Sequence, residues 1–162
     1  ISPFCGGFNV FYLMRHGHAS WAASTDQQRP LTDKGRELLQ AMAKEHVHAL
    51  SGISKIICSP YLRTQQTAAI INQNLAVEIL LEPSITPSNS VKEALLAIEK
   101  HWCEGLLVVT HQPLIGCLIN YLEQGGDNAT QYPEMVEPGS LYSYSLPWPG
   151  PACAIRESLF SA

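Results

Sequence analysis

Short apolar segments alternate with amphipathic helical patterns along most of this chain, and this alternation limits the folds that it can adopt. Four segments are mostly apolar, rich in β-branched or aromatic residues, and very short: 11–14, 55–58, 77–81 and 106–110. Segments of that length and composition are typical of buried strands rather than of core helices. The sequence therefore predicts four strands, each separated from the next by a helix.

The stretches between these strands carry apolar residues three and four positions apart, as amphipathic helices do. In the first of them, Leu38 and Met42 are expected on the apolar face. The predicted helices are one of about four turns that ends before Ser51, then 61–75 and 90–102, and one that runs from Pro113 to about Gly125. Strands joined by helices form right-handed βαβ units, so the sheet is expected to be mainly parallel.

Two further strands complete the predicted sheet. Residues 140–146 alternate between two sets of side chains, as a half-buried strand does, and 153–159 returns beside it after a proline-rich turn. We therefore predict an α/β fold with three layers, a mainly parallel mixed sheet with helices on both faces. One hydrophobic core is enough for a chain of 162 residues, so 8–162 is expected to form a single domain, with 1–7 as an N-terminal extension outside it.

The composition argues against several classes of function. The formal net charge is -4 at pH 7, whereas general nucleic-acid and membrane-surface binders usually carry a basic face. No apolar run reaches the about 18 residues that a membrane span requires. The five cysteines are widely spread and contain no C-x-x-C pair, which favours reduced core residues of a cytoplasmic protein over a zinc site. Neither a nucleic acid nor a membrane is expected as a partner.

Polar residues follow three of the predicted strands where each strand ends: Arg15-His16-Gly17, Ser59-Pro60 with Arg63, and Thr110-His111. Because parallel strands end at the same edge of a sheet, where ligands bind, we expect these clusters to converge. Arg15 and Arg63 lie at this edge and Arg29 in an adjoining loop, and guanidinium groups pair well with phosphate oxygens. The sequence thus predicts a phosphate site, although Arg29 suits equally well a bridge to a surface acid such as Asp26 or Asp33.

A histidine in such a site can take part in phosphoryl transfer. Neutral imidazole is nucleophilic near pH 7, so His16 is a candidate to attack phosphorus. Arg15 and Arg63 would offset the charge on the transferred oxygens, and His111 would donate a hydrogen bond to one of them. Gly17 is expected to let the backbone turn or approach the ligand closely. Because phosphoryl transfer depends mainly on positioning and electrostatics, neither a metal ion nor a cofactor is required.

Four blocks occur in order between residue 10 and about residue 120: Leu13-Met14-Arg15-His16-Gly17, Leu31-Thr32-Asp33-Lys34-Gly35, the run SPYLRTQQTA at 59–68, and Val109-Thr110-His111. Together they resemble the histidine phosphatase superfamily, which has the phosphoglycerate mutase-like fold. The short chain and the Arg29-Pro30-Leu31-Thr32 segment most resemble its small phosphohistidine phosphatases of the SixA type. The resemblance implies His16 as the phosphorylated nucleophile, with Arg15, Arg63 and His111 holding the phosphoryl group and Arg29 nearby.

The chain departs from larger members of this family, which carry a long insertion that bears a general acid and covers the substrate. Here 68–107 separates the third block from the fourth, and Glu82 is the candidate acid, although a solvated loop position suits it as well. A short insertion implies an open site, which admits a phosphorylated side chain of another protein, such as a histidine phosphotransfer domain, better than it encloses a sugar phosphate. The expected partner is a phosphorylated protein or, as the alternative, a small phosphoester such as a sugar phosphate or nucleotide.

Two other classes of function remain open on the sequence alone. His16, His18 and His111 also have the residue type of metal ligands, which would suit a metal-dependent hydrolase, although no carboxylate ligand accompanies them clearly. A module that binds phosphate without catalysis would keep the arginines and lose the chemistry. These alternatives differ from the favoured interpretation in what they require of His16.

Overall fold

The computed structural model describes residues 7–126 and 129–162, so the predicted extension 1–7 lies outside the described residues except for Gly7. The strands are β1 (Asn9–Arg15), β2 (Lys55–Cys58), β3 (Glu78–Leu81), β4 (Leu106–Thr110), β5 (Leu141–Leu146) and β6 (Ile155–Phe160). The helices are α1 (Asp33–Glu45), α2 (Val47–Leu50), α3 (Leu62–Asn72), α4 (Val91–Lys100) and α5 (Leu114–Gln124). Two short 3-10 turns cover Asp26–Gln28 and Pro83–Ile85.

The six strands form one sheet in the order β3-β2-β4-β1-β5-β6. The first four strands are parallel, and β5 and β6 add antiparallel pairs, so the predicted mainly parallel mixed sheet is confirmed. In the register, Arg15 of β1 pairs with Thr110 of β4, and Cys58 of β2 pairs with Val109. The carboxyl ends of β1, β2 and β4 therefore lie side by side, and the residues that follow them emerge at one edge.

Each face of the sheet is covered by its own helices, which gives the three predicted layers. Phe11 and Leu13 of β1 point to one face and share a core with α4 and α5. Tyr12 and Met14 point to the other and share a core with α1 and α3. Because successive residues of a strand face opposite sides, a stretch buried on both faces is apolar, as 11–14 of β1 and 106–109 of β4 are.

The described residues also bear on two predictions from composition. No helix among them is long and apolar enough to cross a membrane. Cys58 and Cys117 are buried, Cys103 and Cys153 are half-buried, and these four thiols are free, whereas Cys5 lies outside the described residues. Burial raises the pKa of the Cys58 thiol to about 12, so this group stays protonated and unreactive at neutral pH.

Two helices differ from the sequence-based expectation in the face that they bury. In α1, Met42 is buried as expected and Leu39 is fully buried, whereas Leu38 is 38% exposed, so Leu38 lies off the buried face. In α3, three polar side chains are buried: Arg63, Thr64 and Thr67. Apolar periodicity cannot identify a helix face that buries polar groups, and α3 does so because this face borders the polar cluster at the sheet edge.

Gly17 is required by packing rather than by a special turn. A Cβ atom built on it would lie 2.6 Å from Cδ1 of Leu39 in α1 and 3.3 Å from Cδ2 of Leu31, and both of these side chains are buried. We expect Gly17→Ala to lower the free energy of unfolding by about 1–3 kcal/mol, because a buried core resists an added methyl group. Urea denaturation measures this loss. In a Leu39→Ala background the cost should shrink, and an equal cost in both backgrounds would contradict the packing explanation.

Candidate active site

His16 follows β1 directly and is 7% exposed. Its Nδ1 lies 2.7 Å from the carbonyl oxygen of Gly17, and because a carbonyl oxygen only accepts, the ring must donate from Nδ1. The network thereby assigns the lone pair of the neutral ring to Nε2. Arg63 donates to this Nε2 from its Nε at 3.3 Å, which agrees with that tautomer. The structure thus presents the nucleophilic nitrogen of His16 to a guanidinium group.

His16 is held in the neutral state. Burial, followed by the positive charges of Arg63, Arg15 and Arg29, lowers its pKa to about 3, although the hydrogen bond to Gly17 acts in the opposite direction. Desolvation and like charges both disfavour the protonated imidazole. At neutral pH Nε2 is therefore unprotonated, and once the hydrogen bond from Arg63 is released its lone pair can attack an electrophile.

Arg63 is the second residue of α3, and three of the five N–H donors of its guanidinium group contact the protein. Besides His16, it donates from Nη1 to the backbone oxygen of Asp26 at 2.7 Å and from Nη2 to the Asp26 carboxylate at 3.3 Å. Its central carbon lies 5.0 Å from the ring centroid of Tyr61. Contacts on several sides fix the orientation of this side chain before any ligand binds.

Arg15 and His111 each carry a buried nitrogen without a hydrogen-bond partner among the described residues, namely Arg15 Nε and His111 Nδ1. The other contacts of these side chains are satisfied, since Arg15 Nη1 donates to the Val136 oxygen at 2.6 Å and His111 Nε2 lies 2.8 Å from Ser59 Oγ. Buried polar atoms are normally paired. The His111 ring lies 5.2 Å from that of His16, and its Nδ1 can donate to a ligand there in the tautomer in which Nε2 accepts from Ser59.

A cavity of about 460 Å³ opens at this edge of the sheet. Arg15, His16, Arg29 and Arg63 are among the residues that line it, and His111 lies just beneath, fully buried. The structure thus brings together the residues that the sequence selected from three separate strand ends. Three guanidinium groups around one neutral imidazole form a site suited to an anion with several oxygens.

Arg29 makes the bridge to a surface acid that the sequence allowed, and it also reaches the cavity. It binds Asp26 at 3.1 Å rather than Asp33. Its Nε donates to the Ser20 oxygen at 2.9 Å, and its central carbon lies 3.6 Å above the ring of Trp21. The exposed loop before α1 is held over the cavity by these contacts.

Glu82 does not join the cluster. One carboxylate oxygen accepts from the backbone nitrogen of Ser84 at 3.2 Å, and the other lies 3.4 Å from Nε2 of His101. Glu82 therefore caps the turn Pro83–Ile85 and pairs with His101, the residue that follows α4. It is not among the residues that line the cavity. The physical reason is strand order: β3, which precedes Glu82, is the edge strand and is separated from β1 by β2 and β4. The geometry gives no support to Glu82 as a general acid.

The geometry also gives no support to the metal-ligand interpretation. His18 Nδ1 lies 3.2 Å from the hydroxyl of Thr32, while His16 and His111 contact Arg63 and Ser59 respectively. Within 7–126 and 129–162, no three histidine, cysteine or acidic side chains are grouped so that they could hold a metal ion. The three histidines of the sequence pattern do not converge on one point.

Among the polar and aromatic residues that line the cavity, the sequence did not predict Trp21, Asp26 or Gln112. Trp21 and Asp26 lie in a polar segment without periodicity, and the one available signal was a tryptophan among small polar residues. Gln112 is placed by its hydrogen bond to the Glu134 backbone oxygen at 2.9 Å, a contact between segments far apart in sequence. No local pattern encodes such a contact.

The buried histidines should make the fold sensitive to acid. Burial, with the charges of His16, Arg63 and Arg15, lowers the pKa of His111 to about 2, as burial lowers that of His16 to about 3. Below the ordinary histidine pKa of about 6.5, these two histidines bind protons in the unfolded chain but not in the folded chain. Their contribution to the free energy of unfolding is therefore complete above that pH and falls as the pH drops towards 3. From pH 7 to pH 5 we expect a loss of up to about 2 kcal/mol from each histidine.

Denaturation by urea at several pH values measures this dependence. His111→Gln should reduce it by about half, because His16 still contributes, whereas His48→Gln, which changes an exposed histidine of α2, should leave it as in the wild type. If His111→Gln kept the full slope, the assigned cause would be wrong.

The comparisons with known proteins agree with this geometry. The family model of the histidine phosphatase superfamily (branch 1) matches residues 11–86. The phosphohistidine phosphatase SixA of Escherichia coli (strain K12) is 30% identical over 140 residues, which cover 83% of this chain and 84% of that protein. A SixA homologue of Haemophilus influenzae is 31% identical and covers 79% of this chain and 85% of its own.

The fold is shared as well. A structure of the protein histidine phosphatase SixA complexed with tungstate superposes with a TM-score of 0.77 and 25% identity, over 94% of this chain and 96% of the other. The phosphoglycerate mutase-like fold expected from the sequence blocks is thereby confirmed. Relatives of about 30% identity matched over most of their length, together with the family model, establish that the chain belongs to the histidine phosphatase superfamily.

Proposed function

We propose that this protein is a phosphohistidine phosphatase that works through a phosphoryl group carried transiently on His16. The observation that carries the proposal is the state of His16, whose Nδ1 is fixed on the Gly17 oxygen and whose unprotonated Nε2 faces Arg63 at 3.3 Å. The SixA relatives, which are phosphohistidine phosphatases, support the same reaction. A tungstate ion is a tetrahedral oxyanion like phosphate, so its presence in a SixA structure supports an oxyanion site.

In the first step, Nε2 of His16 attacks the phosphorus atom of the substrate. The new bond joins Nε2 to phosphorus, and the bond between phosphorus and the substrate imidazole breaks. Once its second nitrogen is protonated, the substrate ring leaves as neutral imidazole. Arg15, Arg63 and the free Nδ1 of His111 would donate to the transferred oxygens, where fixed donors stabilise the transition state most.

In the second step, water attacks the phosphorus atom of phospho-His16. Nδ1 keeps its proton, which is hydrogen-bonded to the Gly17 oxygen. The phosphorylated ring therefore carries a positive charge, and it leaves as neutral imidazole when the bond to phosphorus breaks. The proton of the attacking water passes to the released phosphate or to solvent. The hydrogen bond from His16 to Gly17 therefore serves both steps, first exposing the nucleophile and then making it a good leaving group.

The site supports a leaving group that needs little acid. Glu82 is bound to Ser84 and His101, away from the cavity, and a protonated imidazole leaves without a proton donor on the enzyme, whereas an alkoxide does not. Three guanidinium groups supply positive charge at the cavity without a metal ion, so we propose that the reaction is metal-independent. We further propose a phosphorylated signalling protein as the substrate and the cytoplasm as the location.

A side-by-side turnover experiment tests the proposed substrate. The substrates are a phosphorylated histidine phosphotransfer domain, phosphoimidazole, a sugar phosphate and a nucleotide, each with and without a chelator. We expect the two phosphohistidine-type substrates to give the highest kcat/KM and the chelator to have no effect. Preference for the sugar phosphate or nucleotide would overturn the substrate proposal, and loss of activity on chelation would overturn metal independence.

A further inference from the structure

Asp26 is the one carboxylate among the described residues that line the cavity. Its Oδ1 lies 3.1 Å from Nη1 of Arg29, and its Oδ2 lies 3.3 Å from Nη2 of Arg63. Its backbone oxygen accepts a further hydrogen bond from Arg63 at 2.7 Å. A single acidic residue therefore bridges two of the three arginines that face the phosphoryl site.

Packing does not explain this carboxylate. The Asp26 side chain is 51% exposed, and the 3-10 turn that it starts, Asp26–Gln28, contains no buried residue. Although burial acts to raise its pKa, the hydrogen bond from Arg29 and the charge of Arg63 outweigh this and hold the pKa below its usual value. Asp26 therefore adds a full negative charge to a site that is otherwise built to attract anions.

The charges around the cavity are balanced for one phosphoryl group. Among the residues that line the cavity, Arg15, Arg29 and Arg63 supply three positive charges and Asp26 one negative charge, which leaves a net of two, while His16 is neutral. The charge of Glu137 also acts on Arg15, but Glu137 does not line the cavity. A phosphoryl group on a side chain carries close to two negative charges at pH 7. An anion with a further charge beside the phosphorus would exceed this balance and be repelled by Asp26.

We propose that Asp26 sets the anion selectivity of this site, by disfavouring ligands that carry a second anionic group next to the phosphoryl group and by weakening the hold on released phosphate. The proposal rests on the proposed function, and it explains how an arginine-rich site favours a phosphoryl group on a neutral ring over one beside a carboxylate or another phosphate. At the separations within such a cavity, one unit of charge changes anion affinity by about tenfold.

A different role for Asp26 would be to hold the two arginines in place. Asparagine distinguishes the two, because it keeps an oxygen that accepts a hydrogen bond from a guanidinium group and removes the charge. If Asp26 acts through its charge, Asp26→Asn should bind anions more tightly. If it acts as a clamp, the loss of charge-assisted hydrogen bonds should weaken anion binding.

The test is direct calorimetric binding to the wild type, Asp26→Asn and Asp33→Asn, with inorganic phosphate, phenylphosphonate and 3-carboxyphenylphosphonate as ligands. Asp33 is an exposed acid at the start of α1, so Asp33→Asn controls for the loss of a nearby surface charge. We expect the wild type and Asp33→Asn to prefer phenylphosphonate to its carboxylated analogue by about tenfold. Asp26→Asn should lose this preference and bind phosphate about tenfold more tightly, a gain that shrinks as salt is added.

Unchanged or weaker phosphate binding by Asp26→Asn, or an undiminished preference for phenylphosphonate, would overturn the proposal. Binding is measured without turnover, so the result does not depend on which phosphorylated substrate the enzyme hydrolyses. Failure of the wild type to hydrolyse phosphohistidine would instead contradict the proposed function and leave these binding results intact.

Discussion

His16→Ala is expected to lower kcat on a phosphohistidine substrate by at least about 10⁴-fold, because no other group can form the covalent intermediate. In the structure Nε2 of His16 is the nitrogen that the hydrogen bond to Gly17 leaves unprotonated, and Arg63 directs a donor at it. The other buried histidine, His111, has its Nε2 against Ser59 and is expected to act as a donor. Single-turnover kinetics with excess enzyme measures the loss at the chemical step.

The matched control is His48→Ala, which removes an exposed histidine of α2 that does not line the cavity. This variant should keep the wild-type rate. Circular dichroism and thermal melting show whether each variant is folded. A folded His16→Ala variant that turned over at the wild-type rate would remove His16 from the mechanism.

Arg63→Met is expected to lower kcat by about 10²–10³-fold, the usual cost of losing a fixed donor to the transferred oxygens. Arg63→Lys should restore little, since one ammonium group cannot reach His16 and both acceptors of Asp26 as the guanidinium group does. Removing the cation should also raise the pKa of His16, because the charge of Arg63 helps to lower it, although burial remains the larger cause.

Steady-state kinetics across pH measures both effects. Arg36→Met changes an arginine of α1 outside the cavity and serves as the control for loss of a positive charge. If Arg63→Met stayed within about threefold of the wild type, Arg63 would be a structural residue only, and the electrostatic part of the proposed mechanism would fail.

The central strands were predictable because a strand buried on both faces is almost entirely apolar, as β4 (Leu106–Thr110) is. The convergence of Arg15, Ser59 and His111 was predictable for a different reason, namely that the carboxyl ends of parallel strands lie at the same edge of a sheet. The start of α4 is likewise set by local sequence, because Ser90 and Glu93 form a capping box in which both hydrogen bonds are present. These features depend on residues that are close in sequence or on a rule that holds for every parallel sheet.

The features that the sequence did not predict depend on the order of the strands or on contacts between distant segments. Glu82 follows a strand, but its distance from the cluster depends on β3 being an edge strand, which no local pattern encodes. The need for glycine at position 17 comes from Leu39 of a helix that packs across it, rather than from a ligand. The bridging role of Asp26 requires Arg63, which is 37 residues away and reaches it through the tertiary fold.

The transfer of a phosphoryl group onto His16 is the central claim, and trapping the phosphorylated enzyme tests it most directly. The enzyme is mixed with a substrate that carries a radiolabelled phosphohistidine, quenched in base within one turnover, and digested for mass spectrometry. We predict a transient label on His16 that is stable to base, lost in acid and absent from His16→Ala. If the wild-type enzyme turned over without becoming labelled itself, or with the label on a residue other than His16, the account would be contradicted.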